Sequence, residues 1–323
     1  MKPRPRNRSA GFTLLELVVV LAVLAVVTGL AVRSLQAIDD GHRDEGSVRL
    51  LTSIEGAVLG DHQAAGFVSD LGRLPVAVGE ADFSLAELWR QGGLPSYDLR
   101  RDPVDPEVAV PCGWRGPYLS LPVGGDTLRD PWGNPVASAV GGGGSDAPYA
   151  RLRTEADEPI QAAGVPVGVV RLPGANGVAD PGDAGVERDL SVVFAGRHQA
   201  WIKAVVTVVD AEGVADAGGG GESVVVRVFA PDAALPGMVS VVANEPAVGL
   251  DASATATVPQ GSVLPEGSSA PATPSGLGPV SIGVRPVRAY LLQAGGAVVA
   301  RSQVSHVTLR PGVNVVNLVI RRP

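Results

Sequence analysis

The chain has 323 residues, with 26 Lys and Arg against 33 Asp and Glu, a net charge of -7 and a pI near 5.2. No basic stripe with interleaved aromatics offsets that acidity, which argues against a nucleic-acid partner. The one cysteine, Cys112, excludes an internal disulfide and a cysteine-rich zinc cage, while 42 Gly, 27 Pro and 4% aromatics point to a loop-rich, β-rich body.

The chain opens on a basic leader containing Lys2, Arg4, Arg6 and Arg8, followed by the small residues Ser9, Ala10 and Gly11. An apolar stretch then runs to Val32, long enough to cross a bilayer at roughly 20 residues per helical span. A secretory signal places its small-residue cleavage site after the apolar region, whereas here the small residues come first. Cleavage at this point would leave the span in the product. The basic residues before the span, diluted by Asp39, Asp40, Asp44 and Glu45 beyond it, place the leader in the cytoplasm and the rest of the chain outside. Glu16 lies within the span, where a carboxylate is costly and needs a partner. A plain anchor whose Glu16 reaches the interface is one reading of this span.

The order of basic leader, Gly11, then Phe12-Thr13-Leu14-Leu15-Glu16 resembles the type IV pilin and pseudopilin superfamily. That resemblance implies that a prepilin peptidase cuts between Gly11 and Phe12 and methylates the new terminal Phe12. It also implies that Glu16 is the family's assembly acid. A terminal amine with a pKa near 8 is cationic at neutral pH and can pair in lipid with Glu16 of a neighbouring subunit.

Beyond Val32 the helical period continues through Leu35, Ile38, Val48, Leu51, Ile54 and Val58 on one face, which predicts a stem helix of roughly 50 residues whose second half lies against a sheet. Gly41, Gly46 and Gly56 weaken it by about 1 kcal/mol each relative to Ala, so packing must support it. Its end is expected by Gly66, which puts both His42 and His62 on the helix.

Three motifs follow: Leu71-Gly72-Arg73-Leu74-Pro75, Trp114-Arg115-Gly116-Pro117-Tyr118-Leu119 and Asp130-Pro131-Trp132-Gly133-Asn134-Pro135. Their Asp-Pro and Asn-Pro steps set turns, and their Trp and Tyr cap a small core; packing is the simplest role for Trp132. In this order they resemble the major pseudopilin of type II secretion systems. That resemblance directs attention to the loop after Gly174, which in the family binds calcium. Carried over, the oxygen ligands are Asn176, Asp183, Glu187 and Asp189, although Asn176 replaces the family's acid and the loop is longer. A solvated acidic turn is the other reading.

Leu190 to Phe194 fits the closing strand of the pseudopilin domain. The remaining residues hold strand candidates at 201–209, 223–229, 238–242, 280–284, 288–292, 297–302, 305–309 and 313–320, with turns at Gly295-Gly296 and Pro311-Gly312. This pattern predicts a compact β-sandwich, with the Gly218 to Gly221 run and Ser268 to Pro279 as exposed loops. His42, His62, His198 and His306 are scattered without metal spacing, and Gly141 to Gly144 lacks the Gly-Lys-Ser/Thr of a phosphate loop. Cys112, beside Pro111 and Gly113, reads as a small buried hydrophobe or an unreactive loop thiol.

The expected architecture is α+β: a long membrane-spanning helix packed on a small antiparallel sheet, followed by an all-β sandwich-like domain. Residues 1–11 are the leader, 12–195 a pseudopilin domain (12–32 in the membrane, 33–65 the exported stem) and 196–323 the β domain. The expected role is a non-enzymatic filament subunit of the inner membrane that assembles with itself and other pseudopilins. Its other partners are prepilin peptidase and the inner-membrane secretion platform. A pilus-associated minor pilin or adhesin with a ligand-binding C-terminal domain is the alternative.

Overall fold

A computed structural model of the chain describes residues 14–61, 64–75, 85–122, 124–141, 167–177, 190–194, 199–218, 221–232, 235, 237–244, 247–258 and 277–323. The stem helix α1 spans Leu14–Leu59. Two i,i+4 pairs with the acid first, Asp39 to Arg43 (2.8 Å) and Glu45 to Arg49 (2.6 Å), each add a few tenths of a kcal/mol against its glycines. Only Ser47, Ile54, Ala57 and Val58 are buried along it. Val48, in the half expected against a sheet, is 53% exposed, and Leu35 and Ile38 before it are 65% and 57% exposed, because the body of the protein covers only the C-terminal third of the helix. The helix also ends before the expected Gly66. Gly60 takes a left-handed φ of +86° and donates its N–H to Gly56 O at 2.8 Å, a glycine C-cap that stops propagation. His42 lies on the helix, whereas His62 falls beyond its end and outside the described residues.

A short helix α2, Phe67–Leu71, and a 3₁₀ turn, Leu85–Leu88, follow. Strands β1 (Asp98–Arg101) and β2 (Ala109–Cys112) form an antiparallel hairpin, and Cys112 is fully buried at the end of β2, the first of the two readings of its sequence. Strands β3 (Ala137–Gly141), β4 (Val167–Leu172) and β5 (Leu190–Val193) form an antiparallel three-stranded sheet. Ile54, Ala57 and Val58 of α1 share a core with Val170, Val192 and Phe194 from this sheet.

The C-terminal strands are β6 (Gln199–Val209), β7 (Ser223–Pro231), β8 (Val239–Ala243), β9 (Val248–Gly249), β10 (Thr255–Val258), β11 (Leu277–Ser281), β12 (Gly283–Leu292), β13 (Val298–Arg301), β14 (Ser305–Leu309) and β15 (Gly312–Arg321). They build two sheets, one of β10 and β11 beside β6 with β15, the other centred on β12 and β7 with β8, β9, β13 and β14. Among the described residues their ladders are antiparallel except β15 on β6, which is parallel along its whole length. Period-two alternation sends Val206, Val208, Leu318 and Ile320 of one sheet and Val226, Val228, Val287 and Leu291 of the other into the common interior. Two short strands, β9 and β10, escaped the sequence reading, and Leu277 to Pro279 belongs to a strand rather than the expected loop. The strand expected at 280–284 is divided: β11 ends at Ser281 after a register shift, and β12 starts at Gly283.

The core does not stop at residue 195. Phe67, Val68 and Leu71 of α2 lie in the same apolar cluster as Val228, Val287 and Leu309, and Val108 and Val110 form a smaller cluster with Phe229. Gly283, at φ +116°, lets β12 approach α2 so closely that a Cβ there would lie 2.2 Å from Ser69 Oγ. Beside it, the guanidinium of Arg285 is buried and donates to Ser69 O (2.9 Å), Ser281 O (3.0 Å), Ser281 Oγ (2.9 Å), Val284 O (3.2 Å) and Ile282 O. Its donors are matched by protein acceptors. Burial pulls its pKa down to about 10, and the nearby Asp70 carboxylate partly opposes this.

Candidate functional site

The first half of α1 is the most exposed apolar surface among the described residues. Leu14 to Val32 would extend roughly 28 Å at 1.5 Å per residue, close to the thickness of a bilayer's hydrocarbon core. The helix carries an 18-residue window of mean hydropathy 2.7, none of it buried within the protein. Glu16 sits exposed in its first turn, where a carboxylate complements the helix dipole. Gly11 and Phe12 lie outside the described residues. The span is a membrane anchor by length and composition, and its bare apolar surface is available to lipid or to other helices.

The first two motifs meet at Glu87 of the 3₁₀ turn, and the third docks on α1. Arg73 forms a two-pronged ion pair with Glu87 (Nη1 to Oε2 3.0 Å, Nη2 to Oε1 2.9 Å) and lies over the Phe67 ring. Burial raises the Glu87 carboxyl despite this partner. Trp114 Nε1 donates to Glu87 O at 2.8 Å, tying the second motif to the 3₁₀ turn. Asp70 accepts from Arg115 Nε (3.1 Å), Arg115 Nη2 (3.2 Å) and the Tyr118 hydroxyl (2.9 Å). Burial still outweighs these contacts and lifts its pKa. Tyr118 packs edge-on against Phe67 and Trp114, and its own pKa is pushed up by burial and by Asp70.

The third motif is a turn closed by Asp130, whose Oδ1 accepts the N–H groups of Trp132 (3.0 Å) and Asn134 (2.7 Å). It docks on the stem helix at two points: Arg43 stacks over Trp132 at 5.0 Å, and Gly46 makes room for Pro131. A Cβ on Gly46 would stand 3.0 Å from Pro131 Cγ. Asn134 Nδ2 donates to Gly174 O at 3.0 Å and so positions the turn that contains Asn176. Of the four expected calcium ligands, Asn176 lies in this exposed turn, while Asp183, Glu187 and Asp189 lie outside the described residues. Among the described residues no group of three or more His, Cys, Asp or Glu could hold a metal ion. His198 is outside the described residues; His42 and His306 lie on α1 and β14.

The sequence pointed to Arg73, Trp114, Tyr118 and Asn134 but not to their partners Asp70 and Glu87. Asp70 lies next to Leu71-Gly72-Arg73 and could have been read as part of that motif. It also missed a second polar cluster. Asp102 closes a loop by accepting the N–H groups of Val104 (3.2 Å) and Asp105 (2.7 Å), which turns Asp105 inward. There Arg288 Nη1 reaches both oxygens of Asp105 (3.0 and 2.9 Å), the Tyr290 hydroxyl donates to it, and Arg288 Nη2 reaches Glu107 at 2.8 Å. Burial raises the Asp105 carboxyl, but Tyr290, Arg288 and Arg301 outweigh it and hold the pKa below the usual range.

Comparison with known proteins gives one family match, to the prokaryotic N-terminal methylation motif, over residues 6–32. Neither the curated proteins nor the solved structures give a match. The matched stretch takes in part of the basic leader, Gly11, Phe12, Glu16 and the apolar span. The motif, joined to a long exposed apolar helix on an α+β body, indicates a membrane-anchored, type IV pilin-like protein that prepilin peptidase processes.

Proposed function

We propose that the chain is a structural subunit of a type II secretion pseudopilus, stored in the inner membrane with its leader in the cytoplasm and its body in the periplasm. After cleavage at Gly11, the helices associate laterally along Leu14 to Val32. The amine of Phe12 pairs with Glu16 of a neighbouring subunit and sets axial register. The mechanism is assembly, not chemistry, and the partners are further pseudopilins and the secretion platform of the inner membrane. The observation that carries this reading is the bare apolar first half of α1, together with the third pseudopilin-like motif docked on the stem helix at Arg43 and Gly46 and the first two joined at Glu87.

The β-sandwich favours a second reading, as a minor pilin or adhesin of a type IV pilus, because it adds surface that helical assembly does not use. Deleting the gene separates the two. A secretion subunit predicts loss of exported enzymes from the medium with surface pili intact; loss of pili or adhesion with normal export would favour the adhesin.

Calcium is the proposed ligand of the loop that begins in the Gly174 turn, with oxygen donors from Asn176, Asp183, Glu187 and Asp189. Native-state binding raises stability with ligand concentration, so the protein should melt higher in millimolar calcium than in chelator. Identical melting in the two conditions would leave the loop as a solvated turn.

A further inference from the structure

On the outer face of the β12 sheet, three arginines stand on adjacent strands: Arg227 on β7, Arg288 on β12 and Arg301 on β13. Arg227 and Arg288 are directly opposite each other in the ladder. Like charges in that relation are unfavourable unless something compensates them. Arg288 is compensated, by Asp105 and Glu107. Arg301 shares the same two carboxylates, at 3.8 Å and 3.1 Å, and its side chain stays 49% exposed. Among the described residues Arg227 has no carboxylate contact; its guanidinium lies 4.7 Å from the centre of the Tyr290 ring. The cluster therefore carries one more cation than anion.

The surplus charge opens onto a pocket of about 420 Å³ between Arg227, Tyr290 and Arg301, which Asp105, already paired with Arg288, also lines. Its rim is apolar, with Val104 and Val298 74% and 53% exposed. Two guanidiniums inside an apolar rim suit an anion carried on an apolar body better than a free, strongly hydrated ion. The hydroxyl of Tyr290 already donates to Asp105 and Arg301 Nη2 to Glu107, so Arg227 and the remaining N–H groups of Arg301 are the donors left for a ligand.

We propose that Arg227 and Arg301 receive a carboxylate that a partner protein presents between apolar side chains, making this pocket a protein-docking point on the β-sandwich. The inference does not depend on the secretion reading. It applies equally to a partner in a pseudopilus or at a surface.

The test titrates the full-length chain in non-ionic detergent with acetyl-Val-Glu-Val-amide, its Gln counterpart and sodium phosphate, and follows heat of binding and thermal melting. The Glu peptide should bind about tenfold or more tightly than the Gln peptide, since the difference is a charge-assisted hydrogen bond. It should also raise the melting temperature of the wild type. Arg227→Gln should abolish both effects, whatever melting temperature the variant loses with its contact to the Tyr290 ring. A merely structural Arg227 predicts a lower melting temperature with peptide binding unchanged. Equal binding of the Glu and Gln peptides, binding of phosphate that the Glu peptide cannot displace, or no binding at millimolar peptide would each overturn the proposal.

Discussion

Asp105 and Arg288 stand 183 residues apart in the chain and 2.9 Å apart in the fold, both almost wholly buried. The pair joins the loop before β2 to the central strand of the sandwich. Substituting Asp105→Asn leaves Arg288 buried without its main counter-charge and should cost about 3–5 kcal/mol, measured by denaturant unfolding in detergent. Because the folded pKa of Asp105 is depressed, its contribution is complete above the unfolded value of about 3.9 and fades as pH falls through the lower folded value. The stability gap between wild type and variant should therefore be flat at neutral pH and close in acid. A gap that widened on acidification would contradict the assignment.

Truncation after Ala195 tests whether the sandwich is separable, as the sequence suggested. The packing predicts that it is not: α2 would lose Val228, Val287 and the Arg285 contact to Ser69, and Val110 would lose Phe229. The shortened chain should aggregate and bind an apolar dye strongly. A monodisperse fragment with a cooperative melt would show that residues before 195 hold a core of their own.

Gly46 offers a sharper probe of how the third motif meets the stem. Gly46→Val places branched carbons where Pro131 now sits and should lower stability by about 1–3 kcal/mol, the usual range for overpacking. Trp132 fluorescence should shift toward that of a solvated indole as the turn leaves the helix. If the variant instead gains stability, helix propensity outweighs the contact and the turn is not anchored there.

Much of this fold was legible because short-range patterns carried it. The apolar span from Leu14, the alternation in the C-terminal strands and the turn residues of the three motifs are each written in consecutive residues, and each was placed correctly in kind. What escaped was set by contacts distant in sequence. Nothing near Arg285 announces that Ser69 supplies an acceptor, and nothing near Asp105 announces Arg288. The exposure of Leu35, Ile38 and Val48 was equally hidden, since periodicity shows that a helix has an apolar face but not what covers it.

Those three exposed residues, together with Glu16, bear on assembly. Glu16→Ala should leave membrane insertion intact, because removing a charge from an apolar span favours insertion by up to about 3 kcal/mol. It should nonetheless reduce crosslinking between subunits through cysteines introduced along Leu14 to Val32. Wild-type crosslinking in the variant would remove Glu16 from the assembly mechanism and leave it an interfacial residue of a simple anchor.

The most direct test of the account is the mass of the amino-terminal peptide from protein extracted from membranes of cells with active prepilin peptidase. Processing after Gly11 predicts a terminus at Phe12, carrying one methyl group, with the apolar span retained. An intact Met1 terminus, or a cut beyond Val32 that discards the span, would contradict the claim that this is a pilin-like subunit built to assemble through its first helix.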